Sequence, residues 1–96
     1  MEVTFDGRIE DGSLAVPIIN VWYDKDDSAK APPDGKPVVG KVRHGTTGEL
    51  VERRGRRCRI RATGVSGEEI EGWLTYFWIR EFKGGEEYDD IPRISD

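Results

Sequence analysis

Residues 72–79 read Gly-Trp-Leu-Thr-Tyr-Phe-Trp-Ile and hold four of the nine aromatic residues of this 96-residue chain. Aromatic residues favour the partly buried, pleated surface of a β-sheet, so the stretch predicts a strand. Side chains along a strand alternate between its two faces, which sends Leu74 inward and Trp73 toward the polar side. The adjacent rings of residues 76–78 cannot all alternate. We therefore expect one 3-10 turn there, with Phe77 in the core.

The rest of the chain has the pattern of an all-β domain. Glycine and proline interrupt it frequently, and no window keeps apolar residues at helical spacing for two turns. Strand-like runs occupy residues 18–23, 38–43, 47–53, 57–62, 69–74 and 79–82. Residues 24–37 contain three prolines and four aspartates, which predicts a long surface loop. We expect a small barrel of five to six antiparallel strands, with this loop after the first core strand.

The chain divides into three segments within a single domain. Residues 1–17 form an N-terminal extension in which Asp6-Gly7 and Asp11-Gly12 are turn signals, so we expect a short hairpin there. Residues 18–83 form the barrel. Residues 84–96 are rich in acidic residues, and we expect them to form a flexible acidic tail.

Three stretches of the barrel segment resemble a known family. Residues 19–21, Ile-Asn-Val, are similar to the opening Leu-Asn-Val strand of bacterial-type Src-homology-3-like domains. Residues 38–46 are similar to the family's strand that ends in a basic residue and Gly-Thr, and residues 71–74 resemble its Gly-Trp-Val. The resemblance covers residues 18–82 and implies a Src-homology-3-like barrel with a 3-10 turn before the last strand. Bacterial relatives are often attached to wall hydrolases or signalling proteins, which implies a binding role.

The chain departs from this family at the usual peptide groove. Family members carry a tryptophan at the start of the strand after the first hairpin, and the matching place here is Arg57 or Cys58. Thr75 stands where the eukaryotic branch has a proline before the 3-10 turn. Binding of proline-rich peptides in the polyproline II conformation requires walls of stacked aromatic rings. The sequence therefore lacks one of the requirements for that activity.

The first candidate site is an aromatic rim. The resemblance places the long loop beside the 3-10 turn, where the rings of both segments and of Trp22 can meet. Tyrosine and tryptophan are enriched at binding hot spots. We expect a non-catalytic module that binds a peptide, a protein or a cell-wall fragment through this rim. The rim residues are Tyr23, Trp73, Tyr76 and Trp78. The alternative is that some of these rings fill a thin core.

The second candidate site is an arginine hairpin, residues 53–61, which has six arginines and no acidic residue. Small or apolar residues alternate with arginine along residues 57–62, so we expect the arginines to face outward and Cys58 to be buried. Guanidinium groups bind phosphate, which gives RNA or polyanion binding as the alternative function. Its residues are Arg54, Arg56, Arg57, Arg59 and Arg61.

Two structural interpretations compete with a polyanion site. The arginines can pair across the sheet with Glu49, Glu69 and Glu71, or the acidic tail can fold back and mask them. The net charge of -4 also opposes binding to nucleic acid, although the local run of arginines favours it. A structural or oligomerising domain with no ligand of its own is a third alternative.

Other functions have little support in the sequence. The chain has one histidine and one cysteine, which excludes a disulfide framework and a Cys-rich zinc site. Asp24, Asp26 and Asp27 begin like a calcium loop, but the required glycine and glutamate are missing. We expect no enzyme activity, cofactor, metal or membrane partner, and a monomer. The sequence has no signal peptide, which predicts a cytoplasmic protein, or an extracytoplasmic one if the chain is a fragment of a larger exported protein.

Overall fold

The computed structural model describes the backbone of residues 1–83 and 86–87 and the side chains of residues 1–80. It is an all-β half-barrel of seven antiparallel strands, with a further two-residue strand and one 3-10 turn. The strands are β1 (Glu2–Phe5), β2 (Ile18–Trp22), β3 (Val38–Arg43), β4 (Thr47–Arg54), β5 (Arg57–Thr63), β6 (Glu69–Thr75), β7 (Ile79–Lys83) and β8 (Glu86–Glu87). The predicted fold class is confirmed. The predicted acidic tail, apart from β8, lies outside the described residues.

The strands form one curled sheet in the order β3-β2-β6-β5-β4-β1-β7-β8. The turn between β4 and β5 is made at Gly55, whose φ of 62° is the left-handed conformation that glycine adopts without strain. β5 pairs with β6 along its whole length, beginning with Arg57 opposite Thr75. The tip of the arginine hairpin and the 3-10 turn that follows β6 therefore lie at the same end of the sheet.

The core lies inside the curl and follows the predicted alternation. Cys58 and Ile60 of β5 are fully buried, as is Ile79 of β7, and Leu74 of β6 is 1% exposed. Each large aliphatic side chain buried in this way contributes about 1.5–3 kcal/mol to stability. The alternate positions of β5 carry the arginines, which are partly or fully exposed, so its outer face is cationic as predicted.

The N-terminal segment forms part of the sheet itself. β1 lies between β4 and β7 and pairs with both, and its Val3 and Phe5 are fully buried. Within the rest of the segment, an isolated bridge joins Arg8 to Leu14. The structure thus has one bridge where the sequence predicts a hairpin, because both edges of β1 are taken up by strands that are distant in sequence.

The long loop and the 3-10 turn lie where the sequence predicts them. Residues 23–37 connect β2 to β3, and the base of the loop is closed by a hydrogen bond from the Tyr23 amide to the Pro37 carbonyl at 2.8 Å. Tyr76–Trp78 form the 3-10 turn directly after β6. Among the described residues, no helix is long and apolar enough to cross a membrane.

Gly7→Ala should lower the free energy of unfolding by about 1–3 kcal/mol, the usual effect of inserting a group into a filled site. A Cβ atom at Gly7 would overlap the backbone carbonyl oxygen of Val16, which cannot rotate away as a flexible side chain can. Urea unfolding at pH 7 measures the difference. Ser28→Ala in the exposed long loop is the control, with an expected change below about 0.5 kcal/mol. An equal effect of the two substitutions would contradict the close approach at Gly7.

Candidate binding groove and basic pocket

An open groove of about 200 Å³ runs between β2 and the 3-10 turn. We call it the tryptophan groove, because Trp22 and Trp78 both line it. Its other walls are Val16, Ile18, Asn20 and Thr75, and its floor is made by Ile19 and Leu74. Ile18, Asn20 and Trp22 are alternate residues of β2 and therefore share one face of the strand. The groove thus offers apolar and amide contacts on a rigid strand.

The residues of the predicted aromatic rim lie in different environments in the structure. Trp78 lines the tryptophan groove, whereas Tyr23 is 43% exposed and lies outside the groove wall. Trp73 is paired with Trp22 across β2 and β6, and the Arg59 guanidinium lies 6.0 Å from its ring centroid. The rings therefore do not form a single continuous rim.

Tyr76 and Phe77 have the opposite environments from those expected. Tyr76 is 6% exposed and belongs to the core, whereas Phe77 is partly exposed and packs edge-on against Trp78 at a centroid distance of 4.8 Å. A 3-10 turn rotates successive side chains by about 120°, and its phase here turns the first ring inward. The guanidinium of Arg53 covers the Tyr76 ring at 3.7 Å. Tyr76 is therefore a core residue held under an arginine.

Backbone hydrogen bonds of Asp6 and Gly7 hold two walls of the groove in position. The Asp6 amide donates to the Trp78 carbonyl at 2.8 Å, and the Gly7 carbonyl accepts a hydrogen bond from the Val16 amide at 3.0 Å. These bonds attach the chain on both sides of the groove, at Val16 and at Trp78. The Asp6 side chain beside them is buried.

Three cationic or polar side chains surround the Asp6 carboxylate. The Arg8 guanidinium donates to both oxygens, at 3.0 Å through Nε and 2.7 Å through Nη2, and the buried Arg80 lies 3.4 Å away. Burial raises the pKa of Asp6, but hydrogen bonds from Arg8 and the charges of Arg8 and Arg80 outweigh it and lower that pKa below 3.8. His44 Nδ1 accepts a hydrogen bond from the Gly7 amide at 3.1 Å and lies 3.6 Å from Asp6 Oδ1.

Two of the six arginines of the hairpin pair with several glutamates on the outer face of the sheet. Arg59 contacts Glu52 at 2.8 Å and Glu71 at 3.1 Å, and Arg61 contacts Glu71 at 3.1 Å and Glu49 at 3.4 Å. These five residues form an arginine–glutamate ladder across β4, β5 and β6. Pairing with Glu49 and Glu71 agrees with the structural interpretation of the sequence. Glu52 is an additional partner, and the ladder neutralises much of this face.

Three other arginines of the hairpin line a second hollow, of about 420 Å³, at its tip. We call it the basic pocket. It is lined by Lys25, Asp26, Arg54, Arg56, Arg57 and Thr75. Lys25 comes from the long loop, where no periodic pattern of residues could indicate its location. Thr75 also lines the tryptophan groove, so the two hollows adjoin.

The cysteine and the first aspartate of the long loop have structural roles. Cys58 is fully buried, and the Asp24 carboxylate accepts hydrogen bonds from the amides of Asp26 and Asp27, both at 2.9 Å. This arrangement is an Asx turn, in which the side chain shapes its own loop. In the part of the chain that the structure describes, no three His, Cys, Asp or Glu side chains are grouped so as to hold a metal ion.

Comparison of the chain with protein-family models, with curated proteins and with solved structures gives no match. The fold class therefore rests on the strand order described above. A small antiparallel half-barrel of this kind is compatible with a Src-homology-3-like barrel.

Asp6→Asn should lower the free energy of unfolding at pH 7 by about 3 kcal/mol, the lower end of the range for breaking a buried ion pair, because it leaves Arg80 buried beside a neutral amide. The pKa of Asp6 is lower when folded than when unfolded, so its stabilisation is complete above the ordinary pKa of 3.8 and is lost as the pH falls through the folded value. Urea unfolding at several pH values should show the difference between the two proteins narrowing below about pH 4.

Asp11→Asn is the matched control for this pH series. The pKa of Asp11 is also lowered, by hydrogen bonds from Ser13, but its carboxylate is exposed. We expect a smaller stability change than for Asp6→Asn. A difference between wild type and Asp6→Asn that stays constant down to low pH would contradict the role of the Asp6 charge.

Glu71→Gln should lower the free energy of unfolding by less than about 1 kcal/mol, because the side chains of the ladder are partly exposed and solvent weakens their attraction. Raising the NaCl concentration to about 1 M should remove most of this difference through screening. Denaturant unfolding at low and high salt measures it. Glu69→Gln is the control on the same face of β6, since Glu69 makes no ion pair among the described residues. An equal effect of both substitutions would contradict the ladder.

Proposed function

We propose that this chain is a non-catalytic binding module that holds an extended peptide segment of a protein partner in the tryptophan groove. The observation that carries the proposal is that Trp22 and Trp78 both line one open groove, together with Asn20 and Thr75. Tryptophan offers a large contact area with little loss of conformational entropy, and the amide and hydroxyl can hydrogen-bond to a peptide backbone.

The size of the groove favours a peptide over a small molecule. Sites that enclose small molecules have volumes of about 300–1,000 Å³ and bury most of the ligand. The tryptophan groove has about 200 Å³ and is open to solvent, which suits one or two side chains of a longer ligand. Fixed strands form most of its walls, so little conformational entropy is lost when a peptide binds.

We propose further that the half-barrel is a bacterial-type Src-homology-3-like domain. The 3-10 turn contributes Trp78 to the groove, and the long loop contributes Lys25 and Asp26 to the adjoining basic pocket. The resemblance likewise implies a long loop beside the 3-10 turn. The family's second aromatic wall is replaced by arginine near position 57, so the bound peptide is not held between stacked rings in the polyproline II manner. A cationic wall instead suits a peptide that carries negative charge.

Binding of RNA along the whole arginine hairpin has weaker support. Of its five proposed residues, Arg59 and Arg61 are paired with glutamates in the ladder. RNA binding of this kind depends on cations that follow a backbone of phosphates. Arg54, Arg56 and Arg57 instead line one hollow at the tip of the hairpin, which favours the peptide proposal.

Selection from a phage-displayed library of random dodecapeptides on the immobilised full chain tests the proposed function. We expect enrichment of a defined peptide motif, and Trp22→Ala or Asn20→Ala should weaken binding of the enriched synthetic peptides by about tenfold or more, as expected for hot-spot contacts. Tyr23→Ala is the matched control, since this exposed ring lies outside the groove. Its effect should be below about twofold.

Two results would overturn the proposal. One is a selection that yields no motif. The other is loss of binding in Tyr23→Ala with retention in Trp22→Ala and Asn20→Ala, which would move the site away from the groove. Urea unfolding of each variant shows whether the domain is still folded.

A further inference from the structure

We propose that the basic pocket is an anion site for the phosphate group of a phosphorylated serine, threonine or tyrosine. The bound phosphorylated residue would neighbour the peptide segment in the tryptophan groove, so its link to a peptide rests on the proposed function. The pocket brings together four cationic side chains from two separate parts of the chain. They are Lys25 of the long loop and Arg54, Arg56 and Arg57 of the arginine hairpin.

The pocket has an excess of positive charge. Asp26 is the one acidic side chain among its lining residues, and it pairs with Lys25 at 2.6 Å. Arg54 pairs with Glu52 at 2.8 Å, although 65% of the Arg54 side chain remains exposed. Four cationic side chains and one acidic side chain line the hollow, so its lining has a net positive charge. An anion that enters it gains attraction from several directions at once.

Arg57 is the central residue of the proposed site. It lies on the same face of β5 as Arg59 and Arg61, but it makes no ion pair with any residue that the structure describes. Its Nε is buried and has no hydrogen-bond partner within the described residues. Because no acidic residue among those described neutralises it, the Arg57 guanidinium can pair with the oxygens of an anion in the pocket. The backbone pairing with Thr75 fixes Arg57 at the junction between pocket and groove.

The number and arrangement of the cations favour phosphate over carboxylate. One arginine is enough to bind a carboxylate through bidentate hydrogen bonds. A phosphorylated side chain carries about 1.5 to 2 negative charges and three strongly accepting oxygens, so it can use several cationic groups. Recognition of phosphorylated motifs by arginine clusters is an established binding mode.

The location of the pocket favours a peptide over a nucleic acid. Thr75 lines both the pocket and the tryptophan groove, so a ligand that places a side chain in one can place a neighbouring group in the other. In an extended peptide, side chains two residues apart are separated by about 6.5–7 Å, which suits adjoining sites. The cationic surface does not continue along β5, because the ladder neutralises Arg59 and Arg61.

Three fluorescent peptide pools provide the binding test with the full chain. All have random flanking residues, and the fixed central residue is serine, glutamate or phosphoserine. We expect the phosphoserine pool to bind about tenfold more tightly than the serine pool, with glutamate between them. A titration with inorganic phosphate, followed by NMR, should shift the amide signals of Arg57 and Thr75, whereas chloride at equal ionic strength should not.

Two pairs of matched variants locate the site. Arg57→Gln should abolish the preference for phosphoserine, whereas Arg61→Gln, which removes the same charge from the same strand, should keep it. Lys25→Gln should reduce the preference by about threefold or more, as for the loss of one charge-assisted contact, whereas Lys36→Gln in the same loop should not. The second pair changes residues of the long loop outside the core, so the test does not depend on the folding of Arg57→Gln.

Several outcomes would overturn the anion site. Equal binding of the serine and phosphoserine pools would do so, as would equal losses in Arg57→Gln and Arg61→Gln, which indicate diffuse attraction. Tighter, steeply salt-dependent binding of a single-stranded RNA oligonucleotide would assign the pocket to nucleic acid. The two proposals fail separately. If binding depends on phosphoserine but is unaffected by Asn20→Ala, only the groove proposal fails. If binding depends on the groove residues but shows no preference for phosphoserine, only the pocket proposal fails.

Discussion

The buried Asp6 carboxylate is the constraint on which the rest of this small fold depends. An ionised group out of water is tolerated only where charge and hydrogen bonds compensate it, and here Arg8 and Arg80 provide both. Arg80 belongs to β7, and the Asp6 amide is bonded to the 3-10 turn. Asp6 therefore joins the N-terminal segment to the 3-10 turn through its amide and to the closing strand through its carboxylate. The ion pairs and hydrogen bonds of Asp6 therefore supplement a small hydrophobic core.

The parts of the fold that depend on local pattern could be predicted from the sequence. Alternation in residues 57–62 correctly gave a buried Cys58 and outward arginines, and crowding of three rings gave the 3-10 turn. The insertion of β1 between β4 and β7 could not be predicted, because it depends on pairing between segments far apart in sequence. The same is true of the contact between Asp6 and Arg80, since neither residue carries a local signal for the other.

The candidate site was predicted in part. The predicted rim contains Trp78, which lines the groove. The alternation of side chains in β2 and β6 could also have indicated the groove residues Asn20 and Thr75. The phase of the 3-10 turn was not predictable, because one step of rotation decides whether Tyr76 or Phe77 is buried. The division of the arginines into a neutralised ladder and an open pocket required the cross-strand register, which places Glu71 beside Arg61.

Because Cys58 is completely buried, its rate of reaction with a thiol reagent reports how often the folded protein opens. Cys58 lies opposite Leu74 in β6 and opposite Arg53 in β4, so a thiol reagent reaches its sulfur only when these central strands separate. The modification rate then follows the population of opened molecules when reclosing is fast. Any molecule that binds only the folded form must slow the reaction in proportion to its occupancy. A single thiol can therefore reveal ligands without a label or an assay of function.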